Sequence, residues 1–139
     1  MRSSFCDEMR KGSDVAGWTT EQLQNIADTD DLEISSRRGD GTLSPRITIW
    51  VVQVGDDLYF RSVFGPDASW FRALRNRGSG RVWSGNVEQD VRFEGADGTS
   101  EDRIDDAYRA KFGADNPDTW NIIAPHTRAT TTRVIAVHD

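Results

Sequence analysis

Ile47-Thr48-Ile49-Trp50-Val51-Val52-Gln53-Val54, then Gly55-Asp56-Asp57, then Leu58-Tyr59-Phe60-Arg61-Ser62-Val63-Phe64 is the stretch that decides the fold. Side chains alternate across a strand with a period of two. Ile47, Ile49 and Val51 therefore share one face, and Trp50, Val52 and Val54 share the other. Both faces are apolar, which marks a central strand covered on both sides. The short Gly-Asp-Asp segment joins the two apolar runs as a β-hairpin, and Gly65-Pro66-Asp67 ends the returning strand.

Beyond the hairpin, Asp67 or Ser69 is placed to cap a helix over about 68–77 that carries Trp70, Phe71 and Leu74 on one face. Gly78 and Gly80 read as its stop. Arg81 to Ser84 is a short strand. Val87, Val91 and Phe93 alternate with Glu88, Asp90, Arg92 and Glu94, as in an antiparallel strand with one wet face. Asp97-Gly98 turns the chain. Thr99 and Asp102 form a capping pattern for a helix over about 100–112, lined by Ile104, Ala107, Tyr108 and Phe112, with Asp105 and Arg109 as an i,i+4 pair and Gly113 as the stop. Asn116-Pro117 opens a short turn or helix holding Trp120 and Ile122, and residues 128–137 read as the last strand.

On the N-terminal side, Arg37 to Ser44 is a Gly-rich loop and Leu32-Glu33-Ile34 a first strand. Thr19 and Gln22 have capping-box spacing ahead of Leu23 and Ile26, so a helix is expected over about 20–28. Residues 1–17 are polar and aperiodic and read as a flexible tail, with residues 18–139 as the domain. Short connections between successive strands favour antiparallel pairing. The expected class is mainly β (α+β): a six-stranded antiparallel split β-barrel with covering helices.

The chain has 139 residues, room for one domain. Leu, Ile, Val and Phe number 29, just above the ~20 % below which disorder is the default, and five Trp add large buriable surfaces. No apolar run approaches a membrane span, and no signal-peptide core is visible. A single cysteine, Cys6, excludes an intrachain disulfide. These absences favour the cytoplasm and no membrane partner. The net charge of −6 argues against nucleic acid. The charge is uneven: residues 37–92 hold nine Arg against six acids. Arg suits bidentate recognition of phosphate or carboxylate.

Three segments together, Pro45-Arg46-Ile47-Thr48-Ile49-Trp50, Leu58-Tyr59-Phe60-Arg61-Ser62 and Ser69-Trp70-Phe71-Arg72-Ala73-Leu74, resemble the split-barrel flavin-binding group. The likeness is to its deazaflavin-dependent nitroreductase-like branch. Within that branch, the Trp helix and Ile104-Asp105-Asp106-Ala107-Tyr108-Arg109-Ala110-Lys111-Phe112 look most like a bacterial family with no assigned function. The resemblance covers about residues 18–137. It implies a flavin mononucleotide (FMN) or deazaflavin cofactor and a homodimer with the pocket near the subunit boundary. Two departures stand out. The loop Arg37-Arg38-Gly39-Asp40-Gly41 carries an acid, and Phe64-Gly65-Pro66-Asp67-Ala68 lacks the Lys common in that branch.

Arg46, Arg61 and Arg72, with Thr48, Ser62 and Ser69, form the candidate phosphate and coenzyme set, because a helix N-terminus beside Arg side chains favours anions. Trp70 is the candidate pocket wall. The plainer reading pairs these Arg with Asp56, Asp57, Asp67 and Glu88, and packs Trp50, Trp70 and Trp83 in the core. His126 and His138 lack an acid at ligand spacing, so no metal site is expected. The expected function is hydride transfer to a small organic acceptor by a flavin or deazaflavin, the cofactor carrying the chemistry. The alternatives are a non-catalytic small-molecule binding module, and a cofactor-free enzyme using Arg as electrophile with Tyr or Asp as acid and base.

Overall fold

The computed structural model describes residues 17–96 and 98–137. Cys6, His138, most of the expected tail and the Asp97 half of its turn lie outside the described residues. Six strands close into an antiparallel barrel: β1 (Asp31–Ser36), β2 (Ile47–Val54), β3 (Asp57–Phe60), β4 (Ser79–Ser84), β5 (Val87–Gly95) and β6 (Thr132–Ala136), in the order β1-β2-β3-β6-β5-β4. The decisive hairpin pairs Val51 with Phe60 and Val54 with Asp57. It is shorter than the apolar pattern predicts, because Arg61 and Ser62 leave the ladder while remaining buried.

The two faces of β2 separate as the alternation requires. Ile47, Ile49 and Val51 join Leu32, Ile34, Phe60, Val82, Val91 and Val134 inside the barrel. Trp50, Val52 and Val54 lie outside with Ile104, Tyr108 and Ile122. The helix that covers this outer face is α3 (Glu101–Phe112), within the same chain. Phe112 stacks on Trp50 at 3.9 Å between ring centroids, and the Tyr108 hydroxyl donates to the Trp50 carbonyl at 3.2 Å. The apolar outer face of β2 therefore needs no second subunit to bury it.

α1 (Thr20–Ala27) and α2 (Ser69–Arg77) send Leu23, Ile26, Phe71 and Leu74 into the barrel cluster. The expected capping box of α1 is present: Thr19 Oγ1 accepts from the Gln22 amide and the Gln22 side chain accepts from the Thr19 amide. Other caps differ from expectation. Ala68 is the N-cap of α2 and no side chain caps it, so neither Asp67 nor Ser69 does so. Ser100 is the N-cap of α3 and makes no side-chain capping bond; Asp102 pairs with Arg128 instead. Arg109 pairs with Asp106 rather than Asp105, whose carboxylate is drawn inward.

Gly78 ends α2 in the left-handed region at φ +74°, which glycine adopts without strain. Gly80 is not part of that stop. It sits in β4 between Ser36 and Val91, where a Cβ would collide with the Ser35 carbonyl oxygen. α4 (Pro117–Ile122) is capped by Asn116 and followed by α5 (Pro125–Arg128), which takes the start of the segment expected as strand.

Candidate functional site

Two adjoining clefts meet at Ile47 and Trp70. The first, about 290 Å³, is walled by Ile49, Trp50, Val63, Phe64, Trp70 and Ile122, with Thr48 and Asp118 at its polar edge and Arg61 behind it. The second, about 280 Å³, lies along α2 and is lined by Ser36, Ser44, Ser69 and Arg77 beside Ile34, Pro45 and Leu74. β2 supplies the shared ridge because Ile47 sits at its first position, where the strand emerges from the loop. Trp70 is placed by the first turn of α2 and packs on Phe60 and Phe71, so its ring is held by the barrel core.

Arg61 is only 2 % exposed, and all five of its N–H groups are in use. It donates to Asp105 at 2.5 Å, to the Glu101 carboxylate at 2.7 Å, to Thr131 Oγ1 at 2.9 Å, and to the carbonyls of Ile122 and Glu101 at 3.2 and 3.3 Å. Asp105 also accepts from Arg128. These bonds push the Arg128 pKa up, Asp105 contributing most and Asp102 next. Tyr108 lies beside Arg61, and burial drives its pKa up against the opposing pull of the guanidinium. The cluster ties the end of β3 to α3, α4 and the segment before β6. Its Arg is not free to receive a phosphate.

The other expected site residues fall as follows. Thr48 lines the first cleft, Ser69 the second, and Trp70 both. Arg46 lies outside both clefts; it pairs with Glu33 at 3.1 Å and covers the Trp83 ring at 3.9 Å. Arg72 is exposed on α2, lines neither cleft, and makes no ion pair among the described residues. Ser62 is fully buried; its amide donates to Thr130 and its hydroxyl has no partner among the described residues. The clefts thus unite Thr48, Ser69, Trp70 and the back of Arg61, but not Arg46, Arg72 or Ser62.

Sequence reasoning missed Ser36, Ser44, Phe64, Arg77 and Asp118. Arg77 had a signal: it sits in the last turn of its helix, among nine Arg in a net basic stretch. It donates to Ser36 Oγ at 2.7 Å and has no carboxylate partner among the described residues. A phosphate suits the Arg77 guanidinium, the Ser69 hydroxyl and the first-turn amides of α2, which no side chain caps; the Ser36 and Ser44 hydroxyls already donate, to Ser44 Oγ and to the Pro45 carbonyl. A planar ring suits the first cleft, whose walls are aromatic and aliphatic with little hydrogen-bonding capacity.

Known proteins fit this geometry at the level of fold. A candidate 5-nitroimidazole antibiotic resistance protein from Bacteroides thetaiotaomicron superposes with a TM-score of 0.58 at 12 % identity, covering 87 % of this chain and 81 % of that one. The conserved hypothetical protein Rv2991 from Mycobacterium tuberculosis gives 0.57 at 10 % identity, covering 93 % and 85 %. No curated protein matches the chain. Residues 22–134 match the family described as "Uncharacterized protein conserved in bacteria (DUF2255)", and to that family the chain belongs.

Proposed function

We propose that the chain is a small redox protein that holds FMN or a deazaflavin coenzyme across the two clefts and passes a hydride to a small organic acceptor. One observation carries the reading. An aromatic-walled cleft and a cleft lined by Arg77 and hydroxyls share the Ile47–Trp70 ridge, so one ligand with a flat ring and an anionic tail can occupy both. The fold likeness to a candidate nitroimidazole resistance protein is compatible with this.

The coenzyme, when bound in its reduced form, would supply the hydride. Trp70 provides the flat surface that orients its ring, and Trp50, Phe64 and Ile122 are the further apolar walls that exclude water. Thr48, exposed at the cleft edge, offers a hydroxyl to the ring's polar rim. Arg77, Ser69 and the first-turn amides of α2 bind the phosphate. Arg61 acts from behind by locking the wall in place. The proposed unit is a homodimer, with Val63 and Phe64 at the cleft mouth near its boundary; Phe64 is 79 % exposed.

The cofactor-free alternative, an Arg electrophile with Tyr or Asp as acid and base, would have to use residues other than Arg61, which has no donor left, and Tyr108, which is buried against the Trp50 carbonyl. The test is the visible spectrum of the protein purified from hosts supplied with each coenzyme, followed by titration with both. A bound chromophore, or a Kd tighter than ~1 mM for either, is expected. Protein that stays colourless and binds neither overturns the reading.

A further inference from the structure

Asp118 is a carboxylate at the edge of an aromatic cleft with no ion-pair partner among the described residues. It lies in the first turn of α4, where a carboxylate often serves the helix end. That need is already met: the Asn116 side chain caps the turn, accepting from the Asp118 amide at 2.9 Å. Among the described residues no Lys, Arg or His forms an ion pair with the Asp118 carboxylate.

Among the described residues, the only cation lining the same cleft is Arg61. Its five donors are used and its charge is matched by Glu101 and Asp105. The cleft therefore presents one uncompensated negative charge. Its walls work in the same direction. Trp50, Trp70 and Phe64 line it, and aromatic faces carry negative electrostatic potential that attracts cations. An anion entering this cleft would meet like charge, and Arg61 has no donor left to offer it.

We infer that Asp118 and the aromatic wall make this cleft selective for aromatic ligands bearing an amine or amidine over their carboxylate counterparts, with Asp118 the specificity-determining residue. The inference rests on the reading of this cleft as the ligand site, and it names the charge class of the aromatic ligands that can take the place of the coenzyme ring there. The coenzyme's anionic tail is not in conflict, since Arg77 holds it in the neighbouring cleft.

The experiment uses three probes of one size: 2-naphthylmethanol, 2-naphthylmethylamine and 2-naphthoate. Each is titrated at pH 7 against the wild-type chain, Asp118→Asn and Phe64→Ala by calorimetry and ligand-observed NMR. Both substituted side chains are exposed, so the variants keep the fold. In the wild type the amine should bind roughly three- to tenfold tighter than the carboxylate, the range of an exposed ion pair with a cation–π contact. The preference should shrink at high salt and disappear in Asp118→Asn. If the alcohol binds but the carboxylate equals or beats the amine, the charge inference falls while the cleft reading stands. A preference that survives Asp118→Asn overturns the inference in the same way. If no probe binds, or alcohol binding is unmoved by Phe64→Ala, the cleft reading and the inference fall together.

Discussion

Replacing Arg61 with Ala should unfold much of this protein's stability margin. The side chain is buried and makes five hydrogen bonds, two of them to carboxylates at 2.5 and 2.7 Å. Its removal leaves Asp105, itself 4 % exposed, with Arg128 as its remaining cation, and leaves Glu101 and Thr131 short of a donor. Removing one partner of a buried ion pair costs about 3–5 kcal/mol, because the charge left behind has lost its compensation. Domains have only ~5–15 kcal/mol in total. Urea denaturation followed by Trp fluorescence is the assay, with the slope checked for two-state behaviour. The double variant Arg61→Met with Asp105→Leu removes both charges and should recover part of the loss, a coupling readable from the cycle. A single-variant cost below about 1 kcal/mol would refute this account of the cluster. If coenzyme binding also vanished while stability held, Arg61 would return to the role of phosphate ligand.

Other outcomes follow from the same packing. Gly80→Ala should destabilise by about 1–3 kcal/mol in thermal melts, since its Cβ meets the Ser35 backbone and the Phe93 ring; an unchanged Tm would contradict the register. Thr19→Ala should cost about 1 kcal/mol through loss of the α1 capping box, measured by chemical denaturation. Burial raises the Tyr108 pKa above the ordinary value of 10.0, so the folded state favours the phenol. Stability is then full below pH ~10 and falls as pH rises beyond it, and Tyr108 should ionise only with unfolding; ultraviolet titration showing it ionise at its ordinary pKa in folded protein is the opposing result. Sedimentation equilibrium at micromolar concentration should give about twice 15.6 kDa, the homodimer, and a mass of one chain would remove it.

Much of the barrel was legible because its strongest signal is local. The two apolar faces of Ile47–Val54 required cover on both sides, and both covers exist: the barrel interior and α3. Which agent covers the outer face was not legible, since a helix of the same chain and a second subunit bury Trp50 and Val52 equally well. The caps at Asp67 and Thr99 failed because spacing reveals a competent acceptor but not its competitors. Asp102 is the example: Arg128, distant in sequence, draws it away. Arg61 shows the same limit at the site. An Arg on an apolar strand beside a Ser is equally a phosphate ligand or a buried structural cation. Only tertiary contacts with Glu101 and Asp105, forty and forty-four positions on, decide between them. Thr48, Ser69 and Trp70 were legible because they flank the decisive strand and its following helix. Ser36, Ser44 and Arg77 come together only when β1 and α2 close on one another.

The most direct test of the two-cleft account is a fluorescence titration of FMN and of a deazaflavin coenzyme against the wild-type chain and Arg77→Ala. At least one coenzyme should bind the wild type with a Kd tighter than ~1 mM. Arg77→Ala should weaken it by about 1.5–3 kcal/mol, roughly ten- to more than a hundredfold, as for a lost hydrogen bond to a charged group. Its melting temperature should barely move, since Arg77 is exposed and makes one side-chain hydrogen bond. Binding of neither coenzyme, or binding indifferent to Arg77, would contradict the claim that one ligand spans both clefts.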